Sequence, residues 1–147
     1  MATDTSPASR PALVTAARVV LLVLAGLFAL GAFGQFFLVG LSMFDDASRW
    51  RDHERLGHML GLLTWVMWIP ALAGRTGRGL IVACVVLFLS FEAQYGFIEA
   101  SNSRLNALHP LNGAFLLVLG SWIALRALAV VRGGGREAAG MAKEMST

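Results

Sequence analysis

The chain has 147 residues, 56% of them hydrophobic and 14% charged, with a net charge of +3 and a mean hydropathy of +0.66. Soluble domains are about 45–50% apolar and about 25% charged, so the composition argues against an ordinary soluble enzyme and against a disordered chain. The length suits one domain. The one cysteine, Cys84, has no internal disulfide partner, and no C-x-x-C-H motif offers covalent haem attachment. The basic residues lie at segment ends rather than among aromatics, which speaks for membrane topology and against a nucleic-acid partner.

In chain order, residues 1–13 read as an N-terminal tail. Val19–Phe44 is free of charge and predicts the first span. It is too long for a signal-peptide core, and Asp45-Asp46 stand where small residues would lead to cleavage. Phe44–Arg55 is a densely charged loop, within which Asp52, His53 and Glu54 are too close in sequence to share a helix face as metal ligands. Leu56–Gly74 predicts the second span, Gly74–Gly79 a tight turn, and Gly79–Ile98 the third span, whose one acid is Glu92. After a short loop, Ala100–Arg104, the fourth span begins at Leu105.

About 20 mainly apolar residues cross a hydrocarbon core, and lipid forces every backbone polar group to pair within the segment, so each run must be a helix. The expected fold is all-α, a transmembrane four-helix bundle over residues 14–131 with spans at 19–44, 56–74, 79–98 and 105–131, then a tail at 132–147. Eight basic residues (Arg10, Arg18, Arg75, Arg78, Arg126, Arg132, Arg136, Lys143) stand with three acids at one end. Four basic residues stand with six acids at the other. The positive-inside rule then puts both termini in the cytoplasm, with the protein in the plasma (inner) membrane.

A weak internal similarity divides the bundle into two tandem helical hairpins. Gln35 followed by Gly57-His58-Met59-Leu60-Gly61 resembles Gln94 followed by Leu108-His109-Pro110-Leu111-Asn112-Gly113. The extra residues of the first hairpin fall in its loop, where insertions are tolerated.

His58 and His109 begin two co-directional spans at the outer end. If those spans are diagonal in the bundle, the two imidazoles can face each other as axial ligands of a b-type haem, with Arg55 and Arg104, and also Arg51 or His53, beside the propionates. Gly61 and Gly113 share faces with these histidines and would make room. Gln35 and Gln94 either lock helices together or support the ligating rings. Interfacial histidines are also tolerable without a ligand, because water and headgroups lie within reach. Glu92 reads as a proton-relay acid or as a partner of Arg104. Trp65, Trp68, Phe33, Phe36, Phe37, Phe88 and Phe91 either wall a cofactor or simply pack.

The order Gln35, Gly57-His58-Met59-Leu60-Gly61, Gln94 and Leu108-His109-Pro110-Leu111-Asn112-Gly113 resembles a family of small bacterial four-span proteins of unknown function. That resemblance implies fold and membrane location, and no activity. By architecture alone the bundle is similar to one half of haem A synthase, although the Glu-x-x-His-Arg motif of that enzyme is missing. Three functional readings follow. The first is haem binding with one-electron transfer, by a protein that is no enzyme on its own. The second is a non-catalytic accessory or assembly subunit, joined to a membrane protein or to a second copy. The third is proton-coupled transport through Glu92 and Gln94.

Overall fold

A computed structural model describes residues 9–144, with side chains described over 11–135. Of the predicted tails at 1–13 and 132–147, residues 1–8 and 145–147 lie outside the described residues. Helix α1 spans Ser9–Phe44. A short 3-10 turn at Ala47–Arg49 leads into α2, Trp50–Ala73. Then come α3 at Arg78–Glu99, a single turn α4 at Ser103–Asn106, and α5 at Leu108–Glu144. Helices α1, α2, α3 and α5 are each long and apolar enough to cross a membrane. Among the described residues there is no strand. The protein is an all-α, multi-pass membrane protein in a lipid environment.

The helices overrun the charge-free runs. Helix α1 starts ten residues before Val19, α2 starts six before Leu56, and α5 continues through Gly133–Gly135 to Glu144. A charge-free run marks the length immersed in hydrocarbon, whereas a helix continues into water for as long as its backbone bonds hold. At about 1.5 Å per residue, the 36 residues of α1 and the 37 of α5 far exceed the ~30 Å hydrocarbon core.

Each helix buries one stripe at three- and four-residue spacing. The stripes are Leu21, Ala25, Phe28 and Ala32 on α1, Leu60, Thr64, Met67 and Ala71 on α2, Leu80, Cys84, Leu87 and Phe91 on α3, and Leu116, Ile123 and Ala127 on α5. The opposite faces expose Leu30, Phe33, Leu62, Leu89 and Val118. In water this would be an aggregating surface; in lipid it is the solvated one. Thr64, the one buried polar side chain among the described residues, donates its hydroxyl to the Gly61 carbonyl at 2.8 Å and so stays satisfied.

Packing follows a ring. Helix α1 runs alongside α2 and α5, and α3 alongside α2 and α5, while among the described residues the pairs α1/α3 and α2/α5 have no close backbone approach and meet through side chains such as Phe28 with Phe91 and His53 with His109. The second and fourth spans are therefore diagonal, the condition the haem reading needed. The two hairpins, α1–α2 and α3–α5, join through the α1/α5 and α2/α3 seams. One end carries Asp46 and Asn102. The other carries the α2–α3 turn, where Arg75 (φ 49) and Gly77 (φ 92) take left-handed conformations. Arg18 Nε donates to the Gly74 carbonyl at 2.8 Å, setting a cation against the C-terminus of α2.

Candidate functional site

The two hairpins enter their descending helices by the same device. The Asp46 carboxylate accepts the Ser48 N–H at 2.8 Å and starts the 3-10 turn. The Asn102 side-chain oxygen accepts the Arg104 N–H at 2.9 Å and starts α4. Both are side-chain caps reaching two residues ahead. Asp46 also accepts the Ser48 hydroxyl at 2.8 Å. The Ser48 amide, then its hydroxyl, hold the Asp46 carboxyl below its ordinary value of 3.8.

Below these caps, all four long helices line a cavity of about 440 Å³. Its floor is Phe28, Leu60, Phe91 and Leu116. Its polar lining includes Gln35 from α1, His53 and His58 from α2, Gln94 and Tyr95 from α3, and His109 from α5. The volume falls within the roughly 300–1,000 Å³ of small-molecule sites.

His109, half-buried at the start of α5, points Nδ1 at the Gln94 carbonyl, 3.4 Å away. A carbonyl only accepts, so this contact puts the proton on Nδ1 and leaves the Nε2 lone pair available. His58 is more exposed. Its Nδ1 donates to the Glu54 carbonyl of its own helix at 2.8 Å, and its ring lies 6.0 Å from that of Tyr95. The ring that meets His109 is His53, with 6.3 Å between centroids and 67° between planes. Trp50 stacks against His53 at 4.8 Å and 27°, and the Gln35 backbone carbonyl lies beside the His53 imidazole.

His58 is not the ring that meets His109: it lies five residues, or about 7.5 Å, further along α2 than His53. The 3-10 turn delivers the chain into helix at Trp50, so the charged stretch read as loop already forms the first turns of α2.

The remaining predicted residues are placed as follows. Gln94 Oε1 accepts from Asn112 Nδ2 at 2.8 Å, and the same Nδ2 donates to the Ser90 carbonyl at 2.7 Å. This is an interhelical lock between α3 and α5. Gln35 Oε1 is buried without a partner, as is His53 Nδ1. Buried polar atoms of this kind are rare, and both residues line the cavity. Gly61 does not open space, because a Cβ there would stand 2.9 Å from a Phe91 ring carbon. Gly113 is likewise covered, by the Gln94 amide at 3.5 Å. The free volume therefore lies beside the imidazoles and Gly113, which lines it, and not over Gly61.

Arg55 pairs with Asp52 at 3.5 Å, and Arg104 stands in α4; both are at the cavity's end of the bundle, but neither lines it. Glu92 is half-buried on α3 outside the lining and makes no ion pair among the described residues. Trp65 stacks edge-on with Phe88 at 4.7 Å, away from the cavity. No three His, Cys, Asp or Glu side chains gather as a metal cage among the described residues.

The fold and cavity define a class, a four-span membrane protein with a largely apolar pocket, carrying a few polar side chains, at one end of its bundle. Within that class, residues 35–101 match a family of unknown function (DUF6220). The match covers a little under half of the chain, from Gln35 through Gln94, and stops before His109. No curated protein and no solved structure matches the chain.

Proposed function

We propose that this membrane protein binds a b-type haem in the four-helix cavity, with one histidine from α2 and His109 from α5 as axial ligands, and serves in one-electron transfer. The observation that carries the reading is the convergence of imidazoles from the two diagonal helices on one cavity whose buried polar atoms lack partners. A porphyrin brings four donors of its own and asks the protein for two, so the lack of a three-residue metal cage among the described residues does not weigh against it. When bound, such a group supplies a reversible one-electron change at its iron.

The protein's own part is to hold imidazole lone pairs in place through backbone carbonyls, to exclude water with Phe28, Phe91 and Leu116, and to offer an apolar, low-dielectric surround. The clustering of Arg18, Arg75, Arg78, Arg126 and Arg132 toward the Gly74 end supports cytoplasmic termini in the plasma membrane. The cavity would then face the outer leaflet.

The reading is tested by the reduced-minus-oxidised visible spectrum of the protein purified from haem-supplied cells. A Soret band with sharp reduced bands is expected. A colourless protein that neither carries nor takes up hemin would overturn it and favour the accessory-subunit reading.

A further inference from the structure

From the internal symmetry we infer that His53, not His58, is the partner of His109, and that the two form a pseudo-symmetric axial pair for an iron porphyrin. This rests on the reading of the cavity as a haem site.

Aligned without a gap, Asp46-Ala47-Ser48-Arg49-Trp50-Arg51-Asp52-His53-Glu54-Arg55-Leu56-Gly57 sets an acid or amide, a histidine and a glycine at the positions taken in Asn102-Ser103-Arg104-Leu105-Asn106-Ala107-Leu108-His109-Pro110-Leu111-Asn112-Gly113. Sequence coincidence at three positions would be weak. The structure gives each position the same job in both hairpins. Asp46 and Asn102 each cap a short helical turn through the N–H two residues on. Gly57 and Gly113 each receive a glutamine amide from the preceding helix, with Gln35 Nε2 3.2 Å and Gln94 Nε2 3.5 Å from where a Cβ would stand. His53 and His109 each line the cavity beside that glutamine, and His109 points its Nδ1 at the Gln94 carbonyl, 3.4 Å away. The loop difference between the hairpins then falls wholly between glutamine and cap. His58 has no histidine counterpart, because its position in the second hairpin is taken by Ala114.

The spacing fits coordination. The His53 and His109 ring centroids stand 6.3 Å apart, close enough that both imidazoles could hold one iron porphyrin if it were bound. His53 also carries the buried Nδ1 that has no partner, and Trp50 stacked on its ring limits its rotation. His58, by contrast, is more exposed and rests against Tyr95.

The test uses the full chain in detergent, titrated with hemin, with His53→Gly, His109→Gly and His58→Ala beside the wild type. Far-UV circular dichroism checks that each variant is folded. Six-coordinate low-spin optical and electron paramagnetic resonance spectra are expected for the wild type and for His58→Ala. His53→Gly and His109→Gly should each lose them, and added imidazole should restore them in both, which a merely structural role would not produce. If His53→Gly fails to fold, His53→Gln carries the same comparison, with loss of the low-spin signal expected. A wild type that binds hemin six-coordinately, with the signal lost in His58→Ala and kept in the His53 variant, would overturn the assignment of His53 and leave the haem reading intact. A wild type that takes up no hemin would overturn both.

Discussion

Gly120 gives the sharpest test of how the bundle is packed. It is buried on α5, and a Cβ there would stand 2.6 and 2.8 Å from two ring carbons of Phe28. Ordinary contact begins near 3.4 Å, so the ring would have to retreat by roughly 0.6–0.8 Å in a close-packed interior. Phe28 is 1% exposed and its ring meets Phe91 edge-on at 6.2 Å, so little room exists behind it. Overpacking of this kind costs about 1–3 kcal/mol, while replacing glycine with alanine in a helix returns about 0.5–1 kcal/mol. Gly120→Ala should therefore lose up to about 2.5 kcal/mol net. Gly26→Ala makes the same chemical change on α1 with nothing within 4 Å, and should be neutral or slightly stabilising. Reversible unfolding in mixed micelles, followed by far-UV circular dichroism, compares the two. Equal stability of the variants would refute the claimed close approach of α1 and α5. Because Phe28 forms part of the cavity floor, Gly120→Ala should also weaken hemin uptake while Gly26→Ala leaves it unchanged.

Three further outcomes are expected. Asn112→Leu leaves Gln94 Oε1 without its donor and should cost about 1–2 kcal/mol; adding Gln94→Leu should recover part of that loss, and strict additivity in the double-mutant cycle would count against the α3–α5 lock. Arg18→Met removes the Nε–H bond to the Gly74 carbonyl and should cost about 1–2 kcal/mol, read as a lower unfolding midpoint and faster amide exchange in the α2–α3 turn. Asp46 titrates below 3.8 because the Ser48 N–H and hydroxyl favour its charged form, so its stabilising effect is present above 3.8 and is lost as pH falls through the lower folded value; the Ser48 amide proton signal should shift with a midpoint under 3.8, and a midpoint at or above it would contradict the cap.

The sequence made the spans legible because lipid imposes a severe rule. Val19–Phe44 and Leu56–Gly74 can only be helices if they lie in hydrocarbon, and the arginines at their ends sort the connections. The cavity was legible in part. His109, Gln35 and Gln94 stand out as polar groups within apolar runs, and all three line it. His53 stood out only as a neighbour of the propionates and not as a ligand, since it sits among Asp52, Glu54 and Arg55 in what reads as a solvated loop. The signal that could have found it was the twelve-residue similarity running from Asp46 to Gly57 and from Asn102 to Gly113, obscured because only the caps and the histidine–glycine spacing are shared. Gly61 and Gly113 were legible as small residues, but whether they open space or admit a neighbour depended on Phe91 and Gln94 from another helix.

Composition and the length of the apolar runs by themselves determined that this chain is a membrane bundle of four helices, because the cost of an unpaired backbone group in lipid leaves no other fold. They could not determine which helices are diagonal, where the helical backbone starts relative to the lipid boundary, or which two rings meet. Those were decided by side-chain packing between segments distant in the chain, where Trp50 and the Asp46 cap set the depth and rotation of α2 and so brought His53 to His109.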